Sequence, residues 1–336
     1  MTAPDRGMEP GRRPTPRRFA PDDFVVDEVP LYAPSGEGGH TFVWIEKRLR
    51  TTEEVARALA RAAGVAPGDV GYAGRKDRSA IARQWLSVPG LDPAAALALE
   101  LDGVSVLDAR RHGHKLRTGQ LRANQFRLVV RDVEPAALER APERAAEIAR
   151  VGLTTRYGAQ RFGAAGDNAE RARGLLASGG EWPRDRRAAR VLLSSLQAAV
   201  FDAVLAERPL PLDAVEAGDV AQVCASGGLF VVEDVEREAA RARAFEISAT
   251  GPVFGTRMTA AAGAPAERER AAAAAFGVDL EGYRPPRGVR ARGTRRPFRV
   301  RPVDLALEPA GDGALAIAYE LPAGSYATVL VDALLG

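Results

Sequence analysis

Gly71-Tyr72-Ala73-Gly74-Arg75-Lys76-Asp77-Arg78-Ser79-Ala80 sets one carboxylate among three cations, in a segment carrying two glycines. Neighbouring positive charge favours the ionised form of an aspartate, and an ionised carboxylate can act as nucleophile or base. Asp77 is therefore the first candidate for chemistry. The lysine beside it adds weight, because lysine occurs only at Lys47, Lys76 and Lys115 in a chain whose other basic residues are arginine. Taken alone, a Lys-Asp-Arg run is more often a solvated turn with a surface ion pair. The two glycines are expected to make the loop pliable.

Other site chemistries lack their residues. His112-Gly113-His114 sets two imidazoles close together, but its flanks are cationic and supply no Cys or acidic partners, so no metal site is expected. His40 stands alone in a glycine-rich turn, which leaves a histidine-based triad without support. Gly74 is followed by Arg75 rather than by the Lys-Ser or Lys-Thr of a phosphate-binding loop, and no G-x-G-x-x-G follows an expected strand. Cys224 is the single cysteine, which excludes an internal disulfide; its apolar neighbours suggest a core position.

The elements that must hold Asp77 read as follows. Phe24–Tyr32 and Thr41–Glu46 have strand character and are expected to form a hairpin across Gly36-Glu37-Gly38-Gly39. Thr51-Thr52-Glu53-Glu54 opens a helix with a capping-box pattern, its apolar face formed by Val55, Leu59 and Ala63, and Gly64 ends it. The Asp77 loop follows, then a strand through Gln84-Trp85-Leu86-Ser87-Val88. Two more strands are expected at Val104–Asp108 and Gln125–Val130, and a helix from about Pro135 to Val151. Helices dominate the middle of the chain, with a long one from about Arg187 to Glu207. Short strands are expected at Val220–Val223 and Leu229–Val232, and a helix at Pro265–Phe276. A strand at Ala314–Leu321 and a helix at Ala327–Leu335 follow.

Strands thus gather at the two ends of the chain. This pattern implies a sheet-based lobe interrupted by a second lobe, which 336 residues with 46% hydrophobic content are sufficient to build. No apolar run approaches a membrane span and no signal-peptide core is visible, so a cytosolic protein is expected. Residues 1–17, rich in Pro, Gly and Arg, are expected to be a disordered basic tail.

Net charge is only +3, so affinity for nucleic acid must come from local clusters. Two are visible: Arg110-Arg111-His112-Gly113-His114-Lys115-Leu116-Arg117 with Arg122 and Arg127, and residues 284–301. Both are expected to neutralise phosphates, with Arg292, Arg295 and Arg296 prominent in the second. Phe24, Phe126, Phe162, Tyr157 and Tyr326 offer rings for base stacking, although Phe126 lies in an alternating strand and reads as core.

Six segments in order give the chain a resemblance to the tRNA pseudouridine synthase D family. They are Pro21-Asp22-Asp23-Phe24-Val25-Val26-Asp27-Glu28, Gly74-Arg75-Lys76-Asp77-Arg78, Gln84-Trp85-Leu86, and Asn124-Gln125-Phe126-Arg127-Leu128-Val129-Val130-Arg131, followed by Tyr157-Gly158-Ala159-Gln160-Arg161-Phe162-Gly163 and Leu321-Pro322-Ala323-Gly324-Ser325-Tyr326-Ala327-Thr328. Each is weakly specific; the ordered set is very specific.

The resemblance implies an α+β fold: a pseudouridine-synthase catalytic domain with a mixed, largely antiparallel sheet, formed by 18–151 and 303–336, plus a family-specific α/β insertion domain at 152–302. It implies isomerisation of uridine 13 of tRNA to pseudouridine, a reaction that requires no redox step, cofactor or metal. By this resemblance Asp77 is the catalytic aspartate, and Phe24, Asn124 and Tyr326 are substrate-binding positions, with Lys76 expected to bind substrate or keep Asp77 ionised. Tyr326 stands where the family pattern has phenylalanine, and Arg18 where relatives often carry lysine. The expected partner is tRNA, bound by a monomer without membrane or obligate protein partner. The alternative is a non-catalytic RNA-binding or RNA-chaperone protein of the same fold.

Overall fold

The computed structural model describes residues 19–311 and 313–336; the basic tail and Arg18 lie outside them. Two compact units emerge, one formed by the described residues up to Arg150 together with Arg301–Gly336, the other by Val151–Val300.

The first unit is built on an eight-stranded mixed sheet. Its strands are β1 (Phe24–Pro30), β2 (His40–Lys47), β3 (Gly71–Tyr72), β4 (Ile81–Pro89), β5 (Val104–His112), β6 (Leu121–Val130), β7 (Val303–Pro309) and β8 (Leu315–Pro322). Their order is β7-β8-β6-β1-β4-β2-β5, with β3 also paired to β4. β1 runs parallel to β4 (Val25 opposite Ile81), and the other pairings are antiparallel. The expected hairpin between the first two strands does not form, because β4 lies between them and pairs with both. A parallel pair requires a crossover, and the chain supplies it through β2, helix α1 (Thr52–Ala63) and the Asp77 loop.

Helix α1 begins as its sequence prescribes. Thr51 accepts a hydrogen bond from Glu54 N, the Glu54 side chain accepts from Thr51 N, and Gly64 closes the helix in the left-handed region at φ 67°. Val55 and Leu59 enter a core with Val43, Ile45, Leu86 and Val88; full burial of one such leucine stabilises by about 1.5–3 kcal/mol. Helix α2 (Pro135–Val151) and helix α3 (Ala327–Leu335) are joined where Arg144 donates to the carbonyls of Leu334 and Gly336.

The second unit packs a helix at Arg186–Ala206 against a four-stranded sheet of 294–297, 247–253, 220–223 and 229–231, in that order. By length and composition this helix would suffice to cross a membrane, contrary to the expectation that no apolar run approaches that length. Most of its large apolar side chains are core, however: Leu192, Leu193, Leu196, Val200, Phe201 and Val204 are buried within the unit. Gly251 allows the strand to approach them, since a Cβ there would lie 2.6 Å from the Phe298 ring and 2.9 Å from Phe201.

Several charged residues of this unit are structural. The Arg295 guanidinium is completely buried and binds both oxygens of Glu269 (2.6 and 2.9 Å), Thr250 Oγ1 (3.0 Å) and Thr250 O (2.7 Å). Arg299 is buried over the Phe245 ring and donates to the carbonyls of Val151, Ala242 and Ile247. Arg296 lies over Tyr157 and donates to Thr155 O. The expectation that Arg295 contacts phosphate is therefore wrong, because its donors are consumed inside the fold. Phe126 and Phe162 are core rings, Phe126 stacking on Tyr319 at 5.2 Å. Cys224 is exposed rather than core, because it follows the strand 220–223 into a turn.

Candidate active site

The Asp77 loop leaves β3 at Tyr72 and re-enters the sheet at Ile81. Neither Gly71 nor Gly74 adopts positive φ. Gly71 permits a close approach: a Cβ there would lie 2.2 Å from Leu116 O and 2.5 Å from Ser87 Oγ.

The loop is fastened at several points. Thr52 Oγ1, in the first turn of α1, accepts from Lys76 N (2.9 Å) and donates to Gln84 Oε1 (2.8 Å), and Gln84 Nε2 returns a bond to Gly74 O (3.2 Å). Glu53 pairs with Arg75 at 2.6 Å and Glu54 with Arg78 at 3.2 Å. From β2, the wholly buried Lys47 donates through Nζ to the carbonyls of Asp77 and, at 3.2 Å, Ala80. Burial lowers the Lys47 ammonium to about 8, while Asp77 and Glu54 oppose that shift and Lys76 adds to it. The Asp77 carboxylate, on an exposed residue, accepts from Ser79 N at 3.0 Å. The backbone on either side is therefore held and the carboxylate remains open, as a reacting group requires.

Lys76 points the other way. Its ammonium is 2.8 Å from Glu28 Oε2 on β1 and 2.7 Å from Asn124 Oδ1 on β6, with side-chain exposures of 4% for Lys76 and 1% for Glu28. Antiparallel register sets Glu28 directly across from Asn124. Burial pushes the Glu28 carboxyl above its usual range, and the Lys76 ammonium acts against that shift.

Of the sequence-predicted site residues, the structure thus joins Lys76 to Asn124, while the bond to the Asp77 main chain comes from Lys47. Phe24 begins β1, half-buried, with its ring 5.5 Å from Phe19 and 6.4 Å from Phe126. Tyr326 is half-buried at the N-cap of α3, just after β8; Tyr319 Oη fixes that helix start by donating to Ala327 O (3.2 Å). Glu28, Lys47 and Gln84 did not stand out from residue type. Their signal is alternation: Lys47 shares a parity with buried Val43 and Ile45, Glu28 with Val26, and Gln84 with Leu86 and Val88.

The histidines serve packing. His112 and His114 lie Nε2 to Nε2 at 3.2 Å beside Tyr32 and Phe42. Ser35 N donates to His112 Nδ1, which places the proton of the neutral ring on Nε2. No cluster of three or more metal-ligating side chains occurs among the described residues. In the first basic cluster, exposed Arg110, Arg122 and Arg127 reach Asp108, Glu320 and Asp27 respectively.

A mixed sheet with an open aspartate on one loop, and a buried lysine–glutamate pair that holds a half-buried asparagine, can be set beside known folds. Residues 17–172 and 185–333 match the family described as tRNA pseudouridine synthase D (TruD). The chain is 45% identical over 326 residues to tRNA pseudouridine synthase D of Anaeromyxobacter sp. (strain Fw109-5), covering 95% of this chain and 91% of that protein. It is 40% identical to the Thermus thermophilus protein of the same name, covering 94% and 86% respectively. A crystal structure from Methanosarcina mazei, titled a putative tRNA pseudouridine synthase D, superposes with a TM-score of 0.70 over 94% of this chain and 92% of that one, at 21% identity, and shows the fold. The chain belongs to the tRNA pseudouridine synthase D family.

Proposed function

We propose that this protein isomerises uridine 13 of tRNA to pseudouridine in the cytosol, with Asp77 as its catalytic group. The observation that carries this reading is the open carboxylate of Asp77 on a loop whose flanking carbonyls Lys47 holds. Family membership supports the reaction class.

The reaction breaks the bond from C1′ to N1, turns the base in place and joins C1′ to C5. The C5 proton passes to solvent and N1 ends protonated, so electrons and atoms balance without an oxidant. Asp77 starts the cleavage by attack at C1′, attack at C6 or removal of a sugar proton; each route places its carboxylate at the sugar–base junction. Extruding the target nucleotide costs about a few kcal/mol, which contacts in the pocket offset. Phe24 and Tyr326 hold the base, and Asn124 meets its edge. Residues 152–302 act as the family-specific insertion domain.

The test is tritium release from C5-labelled uridine in tRNA. Asp77→Asn should fold normally and lose at least about a thousandfold in rate, as loss of a reacting group demands. Wild-type-like release by that variant would refute the assignment, and binding without release by the wild type would favour a non-catalytic RNA-binding role.

A further inference from the structure

We propose that Lys76, held by Glu28, fixes the amide of Asn124 with its Nδ2–H donors toward the substrate, and that this donor-only contact selects uracil over cytosine. The inference rests on the reading that Asn124 meets the target base.

Asparagine carries an acceptor at Oδ1 and two donors at Nδ2, and a free amide can turn either end toward a ligand. Here it has no such choice. Lys76 is a donor with no acceptor, and its ammonium lies 2.7 Å from Oδ1. Reversing the amide would bring N–H groups against a buried ammonium, a repulsive and unsatisfied arrangement. Glu28 holds the lysine from the opposite side at 2.8 Å, and both side chains are almost fully buried. The Asn124 Nδ2 has no protein acceptor among the described residues, yet it is not sealed from solvent.

A donor-only contact suits a base that must turn while bound. Rotation of uracil by half a turn about the axis through N3 and C6 exchanges N1 with C5 and the C2 carbonyl with the C4 carbonyl. A donor beside the ring therefore meets a carbonyl oxygen before the turn and another after it. Cytosine has its carbonyl at C2 and an amino group at C4; with the Asn124 amide beside C4 before the turn, donor faces donor as soon as cytosine enters. Lys76 is on this account a positioning residue that acts through Asn124.

The experiment measures binding of a stem-loop RNA with uridine or cytidine at the target position, with every variant made in the Asp77→Asn background and its folding checked by thermal melting. The reference protein should prefer uridine by about 10- to 100-fold. Asn124→Asp keeps a partner for Lys76 but presents an acceptor, and should abolish or reverse the preference. Lys76→Met combined with Glu28→Gln removes both buried charges together and frees the amide to turn; the ratio of the two affinities should fall below about threefold. Full uridine preference in either variant would overturn the inference, as would its absence in the reference protein. Pseudouridine formation by the wild-type protein is scored in parallel. If it is absent, the functional reading falls; if it is present with discrimination unaltered in the variants, that reading stands and the inference about Lys76 and Asn124 falls.

Discussion

The buried pair Arg295–Glu269 in one unit and the buried pair Lys76–Glu28 in the other have opposite consequences. Arg295 and Glu269 form a closed system in which Thr250 takes up remaining guanidinium donors and both side chains are shut from solvent. Lys76 and Glu28 are just as buried, but the third partner, Asn124, is half-buried and open at its far end. A closed network specifies and stabilises a fold, whereas one that ends at an accessible group transmits its orientation to whatever binds there.

The largest effect that tests this contrast is expected from Arg295→Met. Leaving Glu269 buried without its partner should lower unfolding free energy by about 3–5 kcal/mol, measured by urea denaturation, while the uridine preference of the protein that stays folded is unchanged.

Lys47 sharpens the comparison through pH. Its ammonium titrates near 8 in the folded protein against an ordinary value of 10.5. Between these values the unfolded chain holds the extra proton, so stability rises with pH across that window and the gain is lost as pH falls through 8. Relative to Lys47→Met, the wild type should gain up to about 3 kcal/mol from pH 8 to 10.5, with no differential slope below pH 7. A parallel pair of denaturation series would reveal it.

Lys76→Met should cost less than Arg295→Met, about 1–3 kcal/mol. Burial already raises the Glu28 carboxyl, so without Lys76 it can take up a proton and persist as a neutral acid. Stability of this variant should therefore fall as pH rises above the ordinary carboxylate range, more steeply than that of the wild type, whose Glu28 carboxyl is raised in the same direction but opposed by Lys76. The smallest effect is expected from Arg122→Ala at an exposed ion pair: below about 0.5 kcal/mol in stability, with a salt slope for tRNA binding about one unit shallower if Arg122 contacts phosphate.

Much of this arrangement was legible in the amino-acid sequence. The capping box placed α1, glycine stopped it, and the Asp77 loop fell between that helix and the strand through Gln84 as expected. Strand neighbours were not legible, because alternation identifies a strand without naming its partner; β4 entered between two segments that a glycine-rich turn was expected to join. Arginine density was also ambiguous. Arg295 and Arg110 look alike in sequence, and only burial separates an internal tie from a side chain that can reach a phosphate. Lys47 and Glu28 lay at inward-facing parities all along, where a charged residue departs from the strand's own pattern.

The pairing of β6 with β8 has a further consequence, for the order of assembly. Gln125 on β6 meets Glu320 on β8 across 195 positions of chain. Asp77, Lys47, Lys76, Glu28 and Asn124 all leave the ribosome long before the strand that flanks Asn124 and the turn that carries Tyr326. For the time needed to synthesise the middle of the chain, β6 has an open edge available to other strands. The charges along it, Arg122 and Arg127, would then guard a nascent sheet against wrong partners before they serve the finished one.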